Sequence, residues 1–169
     1  MKTALFFALL IAAAAPAFAG WGEIIPPGAL RKDKPWVESA LSLPAYPKAG
    51  DLVAFSVSPP GSFRYALDKA SISVQPGGLV RYAVVATSAQ GAVNVSYEGI
   101  RCAAQEYKIY AIGMAGKWQP VREPVWRPVQ QRSPYSFRRV LMRDAFCPGG
   151  IAVADPAQAL ENLRRGRGW

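Results

Sequence analysis

The chain has 169 residues, and its 20 Lys and Arg outnumber its 11 Asp and Glu, which gives a formal net charge of +9. It contains no histidine, which excludes Ser-His-Asp and Cys-His catalysis and the imidazole ligands of most zinc sites. It also has no P-loop, no G-x-G-x-x-G motif after a strand and no H-E-x-x-H motif. The sequence therefore predicts no catalytic residue of these classes, no metal site and no cofactor.

The first 19 residues have the pattern of a secretory signal peptide: a basic start at Lys2, an apolar run and the cleavage pattern Ala17-Phe18-Ala19. The apolar run, residues 4–15, is shorter than the roughly 20 residues that a membrane-spanning helix needs. No later segment of the sequence is long and apolar enough for a span. We therefore predict cleavage after Ala19, no transmembrane segment after cleavage, and a periplasmic or secreted location.

The excess of positive charge indicates an anionic partner, but export separates the protein from the chromosome and from RNA. Nucleic acid is therefore not expected as a partner. The expected partner is an anionic envelope component or another envelope protein. The basic C-terminal run, residues 164–169, could also attract an anionic membrane surface. The alternative is that the charge is spread over the surface and only keeps the protein soluble.

Residues 20–50 form a Pro-rich lead-in, in which the frequent prolines prevent a long helix. The lead-in contains the apolar side chains Trp36, Leu41, Leu43 and Tyr46. They suggest that it packs on the domain that follows. The main domain is predicted over residues 51–147. Residues 148–169 are predicted to form a C-terminal helix and a basic tail.

In residues 51–118, apolar and polar side chains alternate with a period of two, which is typical of β-strands. Breaks at Pro59-Pro60-Gly61 and at Gln75-Pro76-Gly77-Gly78 separate the runs. The segment is therefore predicted to form an antiparallel meander of about five or six strands.

The clearest pair of strands is a hairpin around Gln90 and Gly91. A two-residue turn at these positions pairs Val84 with Tyr97 and separates an apolar face from a polar one. This register also places Arg81 diagonal to Glu98, within reach of long side chains.

A three-residue loop would shift the hairpin register by one residue. Val84 would then lie opposite Ser96, and Tyr82 would lie opposite Glu98, so polar and apolar side chains would mix on each face. Because a slipped register moves one strand's side chains to the wrong side, the two-residue turn is predicted.

The chain after the meander is predicted to become first extended and then helical. Prolines recur in residues 119–134, so this segment is expected to be edge-like, and its Trp126 could stack on a guanidinium. A helix is predicted to begin with Ser133 as its N-cap and to end at Cys147. A second helix is predicted to begin with Asp155 as its N-cap.

Cys102 and Cys147 are the two cysteines of the chain, and an even count in an oxidising compartment predicts a disulfide. Closing this long loop stabilises the fold by about 4 kcal/mol in the chain-entropy model. The pattern as a whole predicts an α+β fold: an antiparallel β-sheet meander with one or two C-terminal helices and one disulfide. The alternative is a small barrel-like sheet with a capping helix.

Five side chains are candidates for ligand binding: Arg81, Glu98, Arg101, Asp68 and Trp126. The simplest role for Glu98 is a structural ion pair with Arg81 or Arg101. Another possibility is that Glu98 and Asp68 act as the acid and base of a hydrolase. That role requires the two carboxyl groups to lie about 5–10 Å apart in one cleft.

A long string in the predicted hairpin, GAVNVSYEGIRC at residues 91–102, resembles the cryptic neisserial protein-like (CNP-like) family. Trp36-x-Glu38, Leu43-Pro44-x-Tyr46-Pro47 and Val80-Arg81-Tyr82 continue the resemblance. It covers most of residues 36–147 and leaves out the tail. The resemblance implies an exported proteobacterial envelope protein, and it supplies no catalytic residue.

Besides attachment to an anionic membrane surface through residues 164–169, two functions remain open from the sequence. The leading one is a non-enzymatic envelope binding or structural module, because the export signal and the missing catalytic motifs both favour it. The alternative is a histidine-free hydrolase that acts on cell-wall glycan or peptide through Glu98 and Asp68.

Overall fold

The computed structural model describes residues 35–57, 61–130 and 136–166. The strands and helices given below belong to one compact unit of the chain, which begins at Trp36. Within these residues one antiparallel sheet has seven strands: β1 (Leu52–Phe55), β2 (Phe63–Gln75), β3 (Leu79–Ser88), β4 (Val93–Arg101), β5 (Glu106–Met114), β6 (Lys117–Pro120) and β7 (Arg127–Pro128). From β1 to β6 each strand pairs with the next along the chain, and β7 pairs with the start of β5. The predicted antiparallel meander is confirmed.

The sheet is open. Strands β1 and β6 stand at the two ends of the strand order, and in the described part of the chain they do not pair with each other. The barrel-like alternative is therefore wrong. Instead of closing on itself, the sheet buries its apolar side chains by carrying a layer on each face.

We call the two faces the helix face and the N-terminal face. Buried side chains of the helix face pack on the C-terminal helices, and these are Val80, Tyr82, Val84 and Ile100. Buried side chains of the N-terminal face pack with Leu43 of the lead-in and with Trp118, and these are Ala83, Tyr97, Tyr110 and Ala111. The lead-in is held there by further contacts, because the Trp118 indole N–H donates to the carbonyl of Pro44 at 2.9 Å.

The register of β3 and β4 differs from the prediction. Val84 lies opposite Ser96 and Tyr82 lies opposite Glu98, so the register with the two-residue turn is wrong. The prediction assumed that one face of the sheet is polar and solvated. Because both faces are covered, apolar residues on both sides of β3 are buried, and the separation of polar from apolar side chains does not determine the register.

The first C-terminal helix begins later than predicted. The expected N-cap, Ser133, lies outside the described residues, and the observed helix α1 (Phe137–Val140) has Ser136 as its N-cap. The Ser136 hydroxyl accepts a hydrogen bond from the backbone N–H of Arg139 at 3.4 Å. The helix then continues as a wider π-helical turn over Leu141–Phe146, and it ends next to the disulfide.

The second helix, α2 (Pro156–Arg165), begins as predicted. The Asp155 side chain accepts a hydrogen bond from the Gln158 backbone N–H at 2.8 Å, and proline occupies the first helical position. Buried Ala159 and Leu163 dock this helix on the helix-face core. Among the described residues, no helix has the length and apolarity needed to cross a membrane.

The predicted disulfide is confirmed. Cys102 and Cys147 are bonded, their Cα atoms lie 5.4 Å apart, and both are buried. Cys102 follows the end of β4 directly, and Cys147 follows the π-helical turn. The bridge therefore joins the sheet to the end of the first helix.

Candidate functional site

The two carboxylates proposed as a hydrolase pair lie on opposite faces of the sheet. Asp68 pairs with Ala83 on β3, and Glu98 pairs with Tyr82. Tyr82 and Ala83 are consecutive residues of one strand, so their side chains point to opposite faces of the sheet. Glu98 lies on the same face as Tyr82, and Asp68 lies on the same face as Ala83. The expectation that Glu98 and Asp68 share one cleft is therefore wrong.

Asp68 is buried at an irregular point of β2. The register with β3 shifts between Asp68 and Ser73, and the Asp68 carboxylate accepts a hydrogen bond from the backbone N–H of Ala70 at 3.1 Å. Burial, the largest influence, raises the pKa of Asp68, and the nearby charge of Asp51 adds to the rise. The carboxylate therefore closes a bulge inside the sheet.

Arg81 does not contact Glu98, because the shifted register places Arg81 on the N-terminal face. Its side chain is 3% exposed and donates to the carbonyls of Ala40 at 2.8 Å and Ser39 at 2.6 Å. It also approaches the Glu38 carboxylate at 3.5 Å. The predicted ion pair with Glu98 is wrong, and Arg81 instead fastens the lead-in to the sheet.

Arg101 and Trp126 meet in an aromatic and cationic cluster with Trp36 and Lys108. The Arg101 guanidinium lies 4.6 Å from the Trp36 ring and 5.5 Å from the Trp126 ring. Its Nη2 also donates to Glu106 at 2.6 Å, so the predicted ion pair of Arg101 with Glu98 is wrong. Lys108 lies 4.7 Å from the Trp126 ring. Trp126 thus contacts a guanidinium that is distant in sequence, and the cluster joins the lead-in to the Pro-rich segment.

Glu38 completes this side of the molecule. Its carboxylate accepts hydrogen bonds from Lys108 Nζ at 2.5 Å and from the Tyr110 hydroxyl at 2.7 Å. Burial alone would raise the pKa of Glu38, but these hydrogen bonds and the Lys108 charge lower it below its ordinary value. Glu38 of the lead-in is thus paired with charged and polar side chains of the sheet, and these contacts attach the lead-in to the N-terminal face.

Glu98 is at the centre of a saturated network on the helix face. It is 0% exposed, and Arg138 donates to it twice, from Nε to Oε2 at 2.6 Å and from Nη2 to Oε1 at 2.7 Å. The Ser96 hydroxyl donates to Oε1 at 2.7 Å, and the Tyr82 hydroxyl donates to Oε2 at 3.2 Å. Each carboxylate oxygen thus accepts two hydrogen bonds, which fills the usual acceptor capacity of the group.

Arg138 is the residue of this candidate site that the sequence did not reveal. Its guanidinium lies 4.1 Å from the Tyr107 ring and 4.5 Å from the Phe137 ring. Burial alone would lower the pKa of Arg138, but the hydrogen bonds and the charge of Glu98 raise it above its ordinary value. A signal was available, because a carboxylate placed opposite Tyr82 on an apolar face requires a cation from the element that covers it.

An open cleft of about 410 Å³ lies beside this ion pair. We call it the β4–β5 cleft, and it lies between those strands and α1, with apolar walls formed by Val84, Ile109, Ile112, Met114 and Phe137. Ile112 is 45% exposed and Met114 is 57% exposed. Its polar lining includes Glu98 and Arg138. Its volume is within the usual range of about 300–1,000 Å³ for small-molecule sites.

The carboxylate that lines this cleft has both of its oxygens engaged by neighbouring side chains. The Glu98 oxygens are already engaged by Arg138, Ser96 and Tyr82. The described residues contain no group of three or more Cys, Asp or Glu side chains placed to hold a metal ion. Burial, and then the charge of Glu98, raises the pKa of Tyr82 well above its ordinary value, so its hydroxyl stays protonated.

A family model agrees with the resemblance seen in the sequence. Residues 31–164 match the model of the CNP1-like family. The match therefore extends beyond Cys147, where the resemblance was expected to end, and covers all of α2 except its last residue. Comparisons with curated proteins and with solved structures return no match. Because the family model spans most of the chain, the protein belongs to the CNP1-like family.

Proposed function

We propose that the protein is an exported, non-catalytic binding module of the cell envelope whose ligand site is the β4–β5 cleft. The observation that carries the proposal is the exposure of Ile112 and Met114 at the rim of a concave surface. Large apolar side chains grouped in this way on a small domain mark a binding surface more often than single scattered ones do. The ion pair of Glu98 and Arg138 supplies a fixed polar element at the base.

The same geometry favours binding over catalysis. A general acid or base must reach a substrate proton with an atom that is free to accept or donate it. Glu98 has no solvent exposure and four hydrogen-bond donors around it, and Asp68 lies on the other face of the sheet.

The proposal of export rests on the signal-peptide pattern in the sequence and on the buried disulfide of Cys102 and Cys147. Expression with the native N-terminus, followed by fractionation and mass spectrometry, tests it. We expect a periplasmic or secreted protein that begins at Gly20 and lacks free thiols. A full-length cytoplasmic protein with two free thiols would contradict it.

Binding in the cleft can be tested with N-phenyl-1-naphthylamine, a neutral apolar dye that fluoresces when it leaves water. We expect the folded protein to increase dye fluorescence, and Ile112→Asp to weaken dye binding at least about tenfold, because it places a charge in the apolar wall. Ile151→Asp is the control, since Ile151 is 76% exposed and does not line the cleft. Equal dye binding by both variants, or no binding by the native protein, would refute the cleft as the site.

A further inference from the structure

We infer that the ligand of the β4–β5 cleft is a single-chain amphiphile with an anionic head group, bound as a monomer with its head at Arg138 and its chain along Ile112 and Met114. This inference rests on the proposed function and specifies the ligand's chemical class. Three features carry it: the hydrogen-bond donors of Arg138, the unequal exposure of the ion pair, and the arrangement of the apolar walls.

The first feature is the set of donors that Glu98 leaves free. An arginine has five N–H donors, and the Glu98 carboxylate takes one from Nε and one from Nη2. Among the described residues, the remaining N–H groups, on Nη1 and Nη2, have no hydrogen-bonded partner. Because the guanidinium is planar, these donors point away from Glu98 and can receive an anionic oxygen in the same plane.

The second feature is the exposure of the two charges. The Arg138 side chain is 22% exposed, whereas the Glu98 side chain is 0% exposed. The pair is neutral overall, but it presents its positive end toward solvent. A ligand that enters the cleft therefore meets a cation first, and an anionic group is complementary to it.

The third feature is the apolar surface that adjoins this cation. Ile109, Ile112 and Met114 lie along β5, and Phe137 faces them from the start of α1. The Phe137 ring also lies 4.5 Å from the guanidinium, so apolar wall and cation are continuous. A ligand with a charged head directly joined to an apolar chain matches this sequence of surfaces better than a wholly polar one does.

The test compares decanoate, decanol and decyltrimethylammonium as competitors of N-phenyl-1-naphthylamine. The two ionic compounds are used below the concentrations at which they form micelles, and decanol is used below its solubility limit. These compounds share one chain and differ in head-group charge. We expect decanoate to displace the dye at a concentration about tenfold lower than decanol, since one charge-assisted hydrogen bond gives at least that factor. Decyltrimethylammonium should be the weakest, and added salt should weaken decanoate most.

Two variants at one exposed position give a matched comparison that leaves the ion pair intact. Ile112→Lys and Ile112→Glu remove the same apolar surface and differ in the charge they add. The lysine variant should bind decanoate several-fold more tightly than the glutamate variant, and decanol equally. The double variant Glu98→Gln/Arg138→Gln removes both charges, and we expect it to bring the decanoate and decanol affinities within about twofold of each other.

The possible results separate this inference from the proposed function. Equal displacement by decanoate and decanol would leave the cleft as a binding site and overturn the anionic head group. Dye binding with no displacement by any of the three compounds would overturn the single-chain amphiphile. Binding to phosphatidylglycerol vesicles without displacement by decanoate would assign recognition to a membrane surface and would also overturn the inference.

Discussion

Arg138 on α1 and Glu98 on β4 form a two-pronged ion pair, with nitrogen–oxygen distances of 2.6 and 2.7 Å, although 40 residues separate them. The carboxylate is fully buried, and the guanidinium lies close to the rings of Tyr107 and Phe137. This contact joins the first C-terminal helix to the centre of the sheet. It also forms the polar base of the β4–β5 cleft, so one pair of residues serves both the fold and the proposed site.

Removal of Arg138 should be strongly destabilising, because it leaves the Glu98 charge buried without a partner. We expect Arg138→Met to lower the free energy of unfolding by about 3–5 kcal/mol. Urea denaturation followed by circular dichroism measures it. The control is Arg143→Met, because Arg143 is 61% exposed and its pair with Asp144 lies at the surface. That variant should lose no more than about 1 kcal/mol, and equal losses in the two variants would contradict the structural role of Arg138.

The packing of the lead-in can be tested at Gly77, which has a φ of 77° and lies against the Trp36 indole. A Cβ at this position would lie 2.5 Å from ring atoms of Trp36. Gly116 is a matched control, because its φ is 74° and a Cβ there would have no neighbour within 4 Å. Gly116→Ala should cost about 1–2 kcal/mol through its backbone alone. Gly77→Ala should cost about 1–3 kcal/mol more through the clash.

The origin of that extra cost is checked by a double-mutant cycle with Trp36→Ala. If the clash with Trp36 is responsible, Gly77→Ala in the Trp36→Ala background should cost no more than Gly116→Ala does. Thermal or urea unfolding of the four proteins gives the coupling energy. A coupling energy of zero would show that Trp36 does not pack on this turn.

The sequence was sufficient for features that depend on local chemistry. The alternating pattern predicted the meander, Asp155 before Pro156 predicted the start of α2, and two cysteines predicted the bridge. The predicted register of β3 and β4 was wrong because the register depends on what covers each face of the sheet. The sequence of the two strands alone does not show that both faces are covered. Partners such as Glu98 and Arg138 become neighbours only when the helix docks, so their spacing in the sequence does not reveal them.

The disulfide should contribute most of its effect through the unfolded state. Replacement of Cys102 and Cys147 together by alanine should lower the free energy of unfolding by about 4 kcal/mol. Reduction of the native protein by dithiothreitol should lower the urea concentration at the unfolding midpoint by about as much as the double replacement does. If the oxidised and reduced proteins unfold at the same urea concentration, the bridge does not constrain the unfolded chain.

Two carboxylates should affect the pH dependence of stability with opposite signs. Burial raises the pKa of Asp68 above its ordinary value of 3.8, so its ionised form is disfavoured in the folded state. The contribution of Asp68 to the free energy of unfolding is therefore most favourable below pH 3.8, and it is lost as the pH rises through the raised pKa. Asp68→Asn keeps the acceptor oxygen for Ala70, and it should stabilise the protein at pH 7 with a gain that disappears under acid conditions.

Glu38 should behave in the opposite way. Its pKa is lowered below the ordinary value of 4.5, so the stability it contributes is present above pH 4.5 and is lost as the pH falls through the lowered pKa. Glu38→Gln should therefore destabilise the protein at pH 7, and the difference should shrink in acid. Urea unfolding of both variants from neutral to acidic pH tests the pair, and equal signs at pH 7 would contradict these assignments.

The most direct test of the central claim is to locate a ligand on one face of the sheet. Methyl NMR spectra of the disulfide-bonded protein, recorded during titration with decanoate, distinguish the faces because methyl groups lie on both. We expect the signals of Ile109, Ile112 and Met114 in the β4–β5 cleft to shift together, while that of Leu43 on the N-terminal face stays unchanged. Shifts centred on Leu43, or no shift in the cleft, would contradict the assignment of the cleft as the ligand site.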